Sequence, residues 1–210
     1  MDDVFHAGNR QLQETFNATP MAERLSQTII QDIIAPEDQQ FIREQNMFFL
    51  ATVDDQGRPN CSYKGGARGF VRIIDEHTVA FPSYDGNSMF MSMGNILVSP
   101  HVGLLFIDFD RQARLRLNGE ASIDLNDPLR AECPEADLIV RVRVRQIFPN
   151  CPRYIHKMAL VEESRFVPRS ECKTPAPAWK SLAMVADVLS DKDKHLAGAD
   201  DNPARAINRE

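Results

Sequence analysis

Apolar positions along this chain change their spacing at Met47. Before it, residues 8–46 read as two or three helices. Thr19-Pro20 reads as an N-cap followed by proline at the first helical position, where a missing N–H does no harm. Ile29, Ile30, Ile33 and Ile34 then recur at helical spacing. Pro36-Glu37-Asp38 opens another helix, with acidic side chains in its first turn and Phe41 and Ile42 starting its apolar face.

From Met47 onward the apolar runs are short and bounded by turn residues. Met47–Val53 reads as a buried strand, Asp54-Asp55-Gln56-Gly57 as a hairpin turn, and Pro59–Lys64 as the partner strand. Phe70–Ile74 and Thr78–Phe81 read as a second hairpin across Asp75-Glu76-His77. A helix is expected over Ser88–Leu97, with Met89, Met93, Ile96 and Leu97 on one face. Strands Val102–Ile107, Leu115–Leu125 and Leu138–Phe148 follow, the last two separated by a connection containing Pro128 and Pro134.

Strands arriving as hairpins, with few helices, predict a mainly β protein with some α: an antiparallel barrel with helices packed outside it. Three regions follow: a helical lead over 1–46, the barrel domain over 47–160, and a C-terminal extension over 161–210. The extension is proline-rich at first, with a short helix expected at Trp179–Leu189 and a polar, mobile tail over 190–210.

Composition narrows the function classes. At 210 residues, 43% hydrophobic and 26% charged, the chain has an ordinary globular balance. Its net charge of −6 argues against a nucleic acid or an anionic membrane as partner. No apolar run approaches the ~18 residues of a membrane span. The acidic start Met1-Asp2-Asp3-Val4 has no apolar signal core, so the chain reads as cytoplasmic. Its four cysteines form no C-x-x-C pair and read as reduced, structural thiols rather than a metal site. Cys151 belongs with them, since no neighbouring sequence feature is seen to lower its pKa. His101 and His156 read as packed or surface histidines.

Two segments are suited to an anion. Ser62-Tyr63-Lys64-Gly65-Gly66-Ala67-Arg68-Gly69-Phe70 combines glycines, which let backbone N–H groups approach closely, with two cations. It matches neither a Rossmann fingerprint nor a P-loop. Pro82–Ser88 precedes the expected helix, where Asn87 or Ser88 is placed to cap a helix start carrying free N–H groups. Arg114 and Arg116 alternate with leucines, and Arg141, Arg143 and Arg145 with valines. Each set makes a charged row on one strand face, expected to pair with the chain's carboxylates rather than with nucleic acid.

The pieces also occur in an order that resembles one known family. Leu50–Pro59, Lys64-Gly65-Gly66, Gly69-Phe70-Val71, Gly86–Phe90, Gly94-Asn95-Ile96, Pro100–Phe109, Arg116–Gly119 and Phe148–Ile155 together resemble the pyridoxamine 5′-phosphate oxidase-like, FMN-binding split β-barrel family. The likeness spans roughly residues 40–160. It implies a split β-barrel that binds FMN, a homodimer with the flavin at the subunit interface, and a small-molecule substrate or electron donor. By the same resemblance Ser62, Tyr63, Lys64 and Gly65 contact the flavin and its ribityl-phosphate chain. Asn87 and Ser88 hold the phosphate, and Asn95 and Asn118 border the cleft. Many relatives carry arginine where this chain has Ser88, which moves the phosphate charge onto Lys64, Arg68 or Arg72.

The resemblance implies an oxidoreductase acting on an unidentified small molecule. Strict pyridoxamine-phosphate oxidase activity is not expected, because enzymes of that specificity carry an arginine and a histidine close to the C-terminus, whereas the last histidine here is His195 and Ala204–Glu210 has none. The alternatives are a flavin carrier or sensor without turnover, or a related barrel that uses deazaflavin or haem.

Overall fold

A computed structural model describes residues 4–198. Residues 199–210, most of the expected polar tail, lie outside the described part. The chain divides into two compact units, Met1–Glu162 and Glu163–Glu210.

The first unit begins with three helices, α1 (Ala7–Thr15), α2 (Thr19–Thr28) and α3 (Pro36–Glu44). Four strands follow: β1 (Met47–Val53), β2 (Pro59–Gly65), β3 (Arg72–Asp75) and β4 (Thr78–Ser83). Helix α4 (Met91–Val98) separates them from β5 (His101–Asp108), β6 (Ala113–Asp124) and β7 (Leu138–Pro149). All seven strands join one antiparallel sheet in the order β2-β1-β5-β6-β7-β4-β3. The protein is mainly β with α, and each strand read from the sequence is present. No helix among the described residues is long and apolar enough to cross a membrane.

Alternation explains the core. Phe48 and Leu50 of β1, Leu104 and Phe106 of β5, and Leu115 and Leu117 of β6 all point to one side and are buried. Val79 and Phe81 of β4 and Val140 and Val142 of β7 complete that core. Phe48 is its centre, with ring centroids 5.0 Å from Phe81, 5.3 Å from Phe106 and 5.8 Å from Phe70. Gly66 makes room for Phe70: a Cβ there would lie 2.5 Å from the Phe70 Cγ. Gly119 stands where the β6–β7 register shifts, and a Cβ on it would lie 2.3 Å from the Arg143 carbonyl oxygen.

Three local expectations are corrected. Ala18, not Thr19, precedes α2, and Pro20 is the second helical residue. The isoleucines from Ile29 to Ile34 do not continue a helix. Gln31 bridges Ile147 through two backbone hydrogen bonds of 3.0 and 2.7 Å, and the Ile34 N–H donates to the Glu76 carbonyl at 2.7 Å. The strand ends offer backbone partners and burial that a longer helix would forfeit, and β-branched residues accept extended backbone readily. In the second unit, Trp179–Leu189 forms short 3₁₀ turns at Ala178–Ser181 and Ala183–Val185 instead of a helix. There Lys180 is buried and donates to Asp193 at 2.8 Å.

Candidate functional site

Strand β2 places Ser62 and Lys64 on its core side and Tyr63 on the opposite, exposed side. The register pairs Ser62 with Leu50 and Lys64 with Phe48, both core residues. Helix α4 packs against β1, β2 and β6 at this edge. The Ser62 and Ser92 hydroxyls lie 3.0 Å apart, and the Asn95 Nδ2 donates to the Thr52 Oγ1 at 3.0 Å. Ser62, Lys64 and Asn95 therefore share one region. Lys64 is half-buried there and has no carboxylate partner among the described residues. Loss of water around it pushes its amine below the ordinary lysine value.

The glycines beside Lys64 have packing reasons. A Cβ on Gly65 would lie 2.7 Å from the Tyr63 ring, and the Gly66 N–H is already engaged by the Asn46 carbonyl at 2.9 Å. Arg68 is exposed in the following turn. Arg72, on the far edge strand β3, is directed to the buried Cys133 thiol. Of the three cations considered for a phosphate, Lys64 alone is half-buried, and it stands on β2 two residues from Ser62, which meets Ser92 of α4.

Asn87 and Ser88 do not cap α4. The helix begins at Met91, and its cap position is Phe90, in left-handed backbone with φ 49° and no side-chain cap. Asn87 instead accepts a hydrogen bond from the Met89 N–H at 3.1 Å, an Asx turn of its own. That turn competes with a helix start, and Ser88 at φ 63° reverses the chain before the helix can form. Residues 85–91 are all exposed, so Met89 lies outside the helix and Leu97 faces away from the core, while Met93 and Ile96 are buried. A bulky residue such as Phe90 at positive φ is strained backbone, which the surrounding structure has to impose.

Asn118 lies on the other side of the sheet. Its Nδ2 donates to the Gln146 Oε1 of β7 at 3.2 Å, and its Oδ1 borders Gly103 beside Ala51. Tyr63 shares that side, its ring 6.2 Å from Phe49 in an edge-on pair. The sequence-derived residues thus form two groups: Ser62, Lys64 and Asn95, with Asn87 and Ser88 leading into α4, and Tyr63 with Asn118 on the opposite face.

A family model described as pyridoxamine 5′-phosphate oxidase matches residues 34–160. The chain belongs to this family. Its sheet is accordingly the split β-barrel of the pyridoxamine 5′-phosphate oxidase family. No curated protein matches the chain. Several solved structures are similar at low identity. HupZ of Group A Streptococcus is 20% identical, with 60% of this chain aligned to 99% of that one at a TM-score of 0.46. HutZ, the heme storage protein of Vibrio cholerae, is 22% identical over 55% of this chain and 93% of its own, at 0.40. An FMN-binding protein of Syntrophomonas wolfei is 13% identical over 67% and 97%, at 0.41. The family model, and not these distant likenesses, identifies the chain.

Two features of this family member escaped the sequence reading. Thr52 and Ser92 support the candidate site through Asn95 and Ser62; strand alternation places Thr52 inward, but nothing in the sequence paired it with Asn95. The Cys151 thiol is exposed and lies below the ordinary cysteine value, because Arg153 hydrogen-bonds to it. Arg153 stands two residues along, and its proximity was the missed signal.

Proposed function

We propose that this family member is an FMN-binding flavoprotein acting as an oxidoreductase on a small molecule. Lys64 carries the reading: a half-buried ammonium without a carboxylate among the described residues is a desolvated cation that an anion completes. The residues present fit a phosphate-bearing cofactor. Lys64 would hold the phosphate charge, Ser62 and the exposed turn at Asn87-Ser88 would lie along it, and Asn95 would border it. The strained backbone at Ser88 and Phe90 supports a role for that turn.

Tyr63 and Asn118 face the other way, so a flavin that meets both groups lies between two copies of the chain. This supports a homodimer with the cofactor at the subunit interface. The exposed apolar side chains Tyr63, Met89, Phe90 and Leu97 suit burial in such a contact. Bound FMN supplies the hydride and electron transfer. The chain's own residues bind and orient: Ser62 is fixed by Ser92, Asn95 by Thr52, and the Asn118–Gln146 amides present hydrogen-bonding groups on the exposed face.

The visible spectrum of the purified protein tests the proposal. Two flavin bands are expected, with FMN released on denaturation and bleaching by a nicotinamide or another reduced small molecule. A Soret band, a deazaflavin band or no chromophore would refute the cofactor. A flavin that no reductant bleaches would refute turnover and leave a carrier or sensor.

A further inference from the structure

Many arginines of the first unit hold carboxylates. Arg141 donates to both Asp127 oxygens at 2.5 and 2.9 Å, and Arg145 donates to Glu120 at 2.6 Å, as expected of that row, whereas the carboxylate pairing expected of Arg114 and Arg116 is not found among the described residues. Arg58 pairs with Asp54, and Arg111 with Asp108 and Glu44. Arg114, Arg116 and Arg153 hold no carboxylate among the described residues, although acidic side chains outnumber lysine and arginine 30 to 24.

These three gather at one end of the β6–β7 ladder. Arg114 and Arg116 are two residues apart on β6 and share its outer face. The Arg116 guanidinium lies 5.6 Å over the Phe148 ring of β7. After β7 the chain turns along the start of β6. The Asn150 N–H donates to the Arg114 carbonyl at 3.4 Å, Arg114 Nη2 to the Cys151 carbonyl at 2.9 Å, and Gln112 Nε2 to the Ile155 carbonyl at 2.7 Å. This strap sets Arg153 beside the Cys151 thiol. The Arg114 Nε is buried without an acceptor, so the cluster has more donors than its own chain satisfies. One rung further along the same face stands the Asn118–Gln146 pair.

We propose that Arg114, Arg116 and Arg153 form the binding site for the anionic group of an acidic small molecule, a phosphate or a pair of carboxylates. Only the description of that molecule as the substrate rests on the flavin reading; the anion site stands without it. Guanidinium forks match the oxygens of either group two at a time, and the Phe148 ring holds Arg116 flat for such a contact. Arg153 and Arg114 both act on the Cys151 thiol, and Arg116 stands two residues from Arg114, so an anion there meets more than one cation. The position beside Asn118 puts the acidic molecule on the face where the flavin reading needs a reaction partner.

Cys151 supplies a reporter inside the cluster. In the full chain carrying Cys61→Ser and Cys172→Ser, alkylation of Cys151 by neutral iodoacetamide is timed against added inorganic phosphate, then malonate, at constant ionic strength set with chloride. Both dianions are expected to slow alkylation, and the more effective one names the favoured group. Arg116→Gln should raise the half-protecting concentration about tenfold or more, the loss of one charge-assisted bond. Arg116→Lys should recover part of the effect, which a merely misfolded variant would not. Lys64→Gln, which disables the proposed flavin-phosphate contact, should leave protection intact. Protection that chloride matches, that Arg116→Gln does not weaken, or that Lys64→Gln removes would overturn the site. Protection by phosphate in a protein without flavin bands would overturn the flavin reading alone.

Discussion

Replacing Lys64 with methionine sets cofactor affinity against stability, and the two should move in opposite directions. Methionine keeps the stem's volume against the core side of β2 and removes the charge. If the ammonium holds the FMN phosphate, its loss removes a charge-assisted bond worth about 1.5–3 kcal/mol, or roughly 10–150-fold in Kd. Without cofactor the sign reverses, because the half-buried ammonium has no carboxylate partner among the described residues and its removal relieves a desolvation penalty. Burial lowers the folded-state value below the unfolded one, so between the two the unfolded chain binds a proton that the native chain has released. Stability of the cofactor-free wild type should therefore rise with pH across that window and level off below the folded value. Lys64→Met should flatten this rise, and saturating FMN should shrink it by restoring the lysine's charge. Quenching of flavin fluorescence measures Kd, and urea unfolding at about pH 7 and about pH 11 brackets the ordinary lysine value. An FMN Kd within about twofold of wild type, a factor well below one charge-assisted bond, would refute the role given to Lys64.

Other consequences follow from single contacts. Gly119→Ala drives a Cβ to 2.3 Å from the Arg143 carbonyl oxygen, in a ladder that cannot yield without breaking register. The expected loss is about 2–3 kcal/mol, or roughly 4–12 °C in Tm by circular dichroism. Gly86→Ala, with nothing within 4 Å, should stay within about 0.5 kcal/mol and serves as control. Asp127→Asn breaks the paired bonds to Arg141 at a carboxylate only 4% exposed, at an expected cost of about 3 kcal/mol near neutral pH. Arg141 holds that carboxyl below the ordinary aspartate value, so its stabilisation is complete above about pH 4 and disappears as pH falls through the folded value. Wild type and Asp127→Asn should converge in acid, and parallel urea curves down to low pH would contradict this. Finally, co-expressing Lys64→Met with Asn118→Leu should rescue about a quarter of the flavin sites, since about half of randomly paired dimers are mixed and each mixed dimer has one intact site. Sites built within one chain would show no rescue.

The strands were legible because their signal is local. Met47–Val53 is apolar, short and closed by Asp54–Gly57, whose Asp54 carboxylate accepts the Gln56 and Arg58 N–H groups at 2.9 Å each. The helices were less so. Ile29–Ile34 has helical spacing, yet the backbone of β7 at Ile147 and the turn at Glu76 claim it, and neither partner is near in sequence. The start of α4 was missed for a related reason: Asn87 has the chemistry of a cap, but its side chain closes a turn two residues on, and the helix waits until Met91.

Alternation along a strand carries the sharpest lesson for the site. Ser62, Tyr63 and Lys64 are consecutive, and a resemblance places all three against one cofactor. Consecutive strand residues point to opposite faces, and the structure keeps that rule: Ser62 and Lys64 line up with core residues while Tyr63 is 62% exposed beside Phe49. One flat ligand on one face of one chain can meet Tyr63 or the Ser62–Lys64 pair through their side chains, not both. Asn118 sits with Tyr63, and its neighbours on that face are Arg114 and Arg116, which hold no carboxylate among the described residues. The core side thus offers a single desolvated cation suited to a cofactor phosphate, and the outer side offers amides and guanidinium groups suited to an acidic reaction partner. In the proposed dimer, the outer side of one chain would meet the Lys64 edge of the other and satisfy both sets at once.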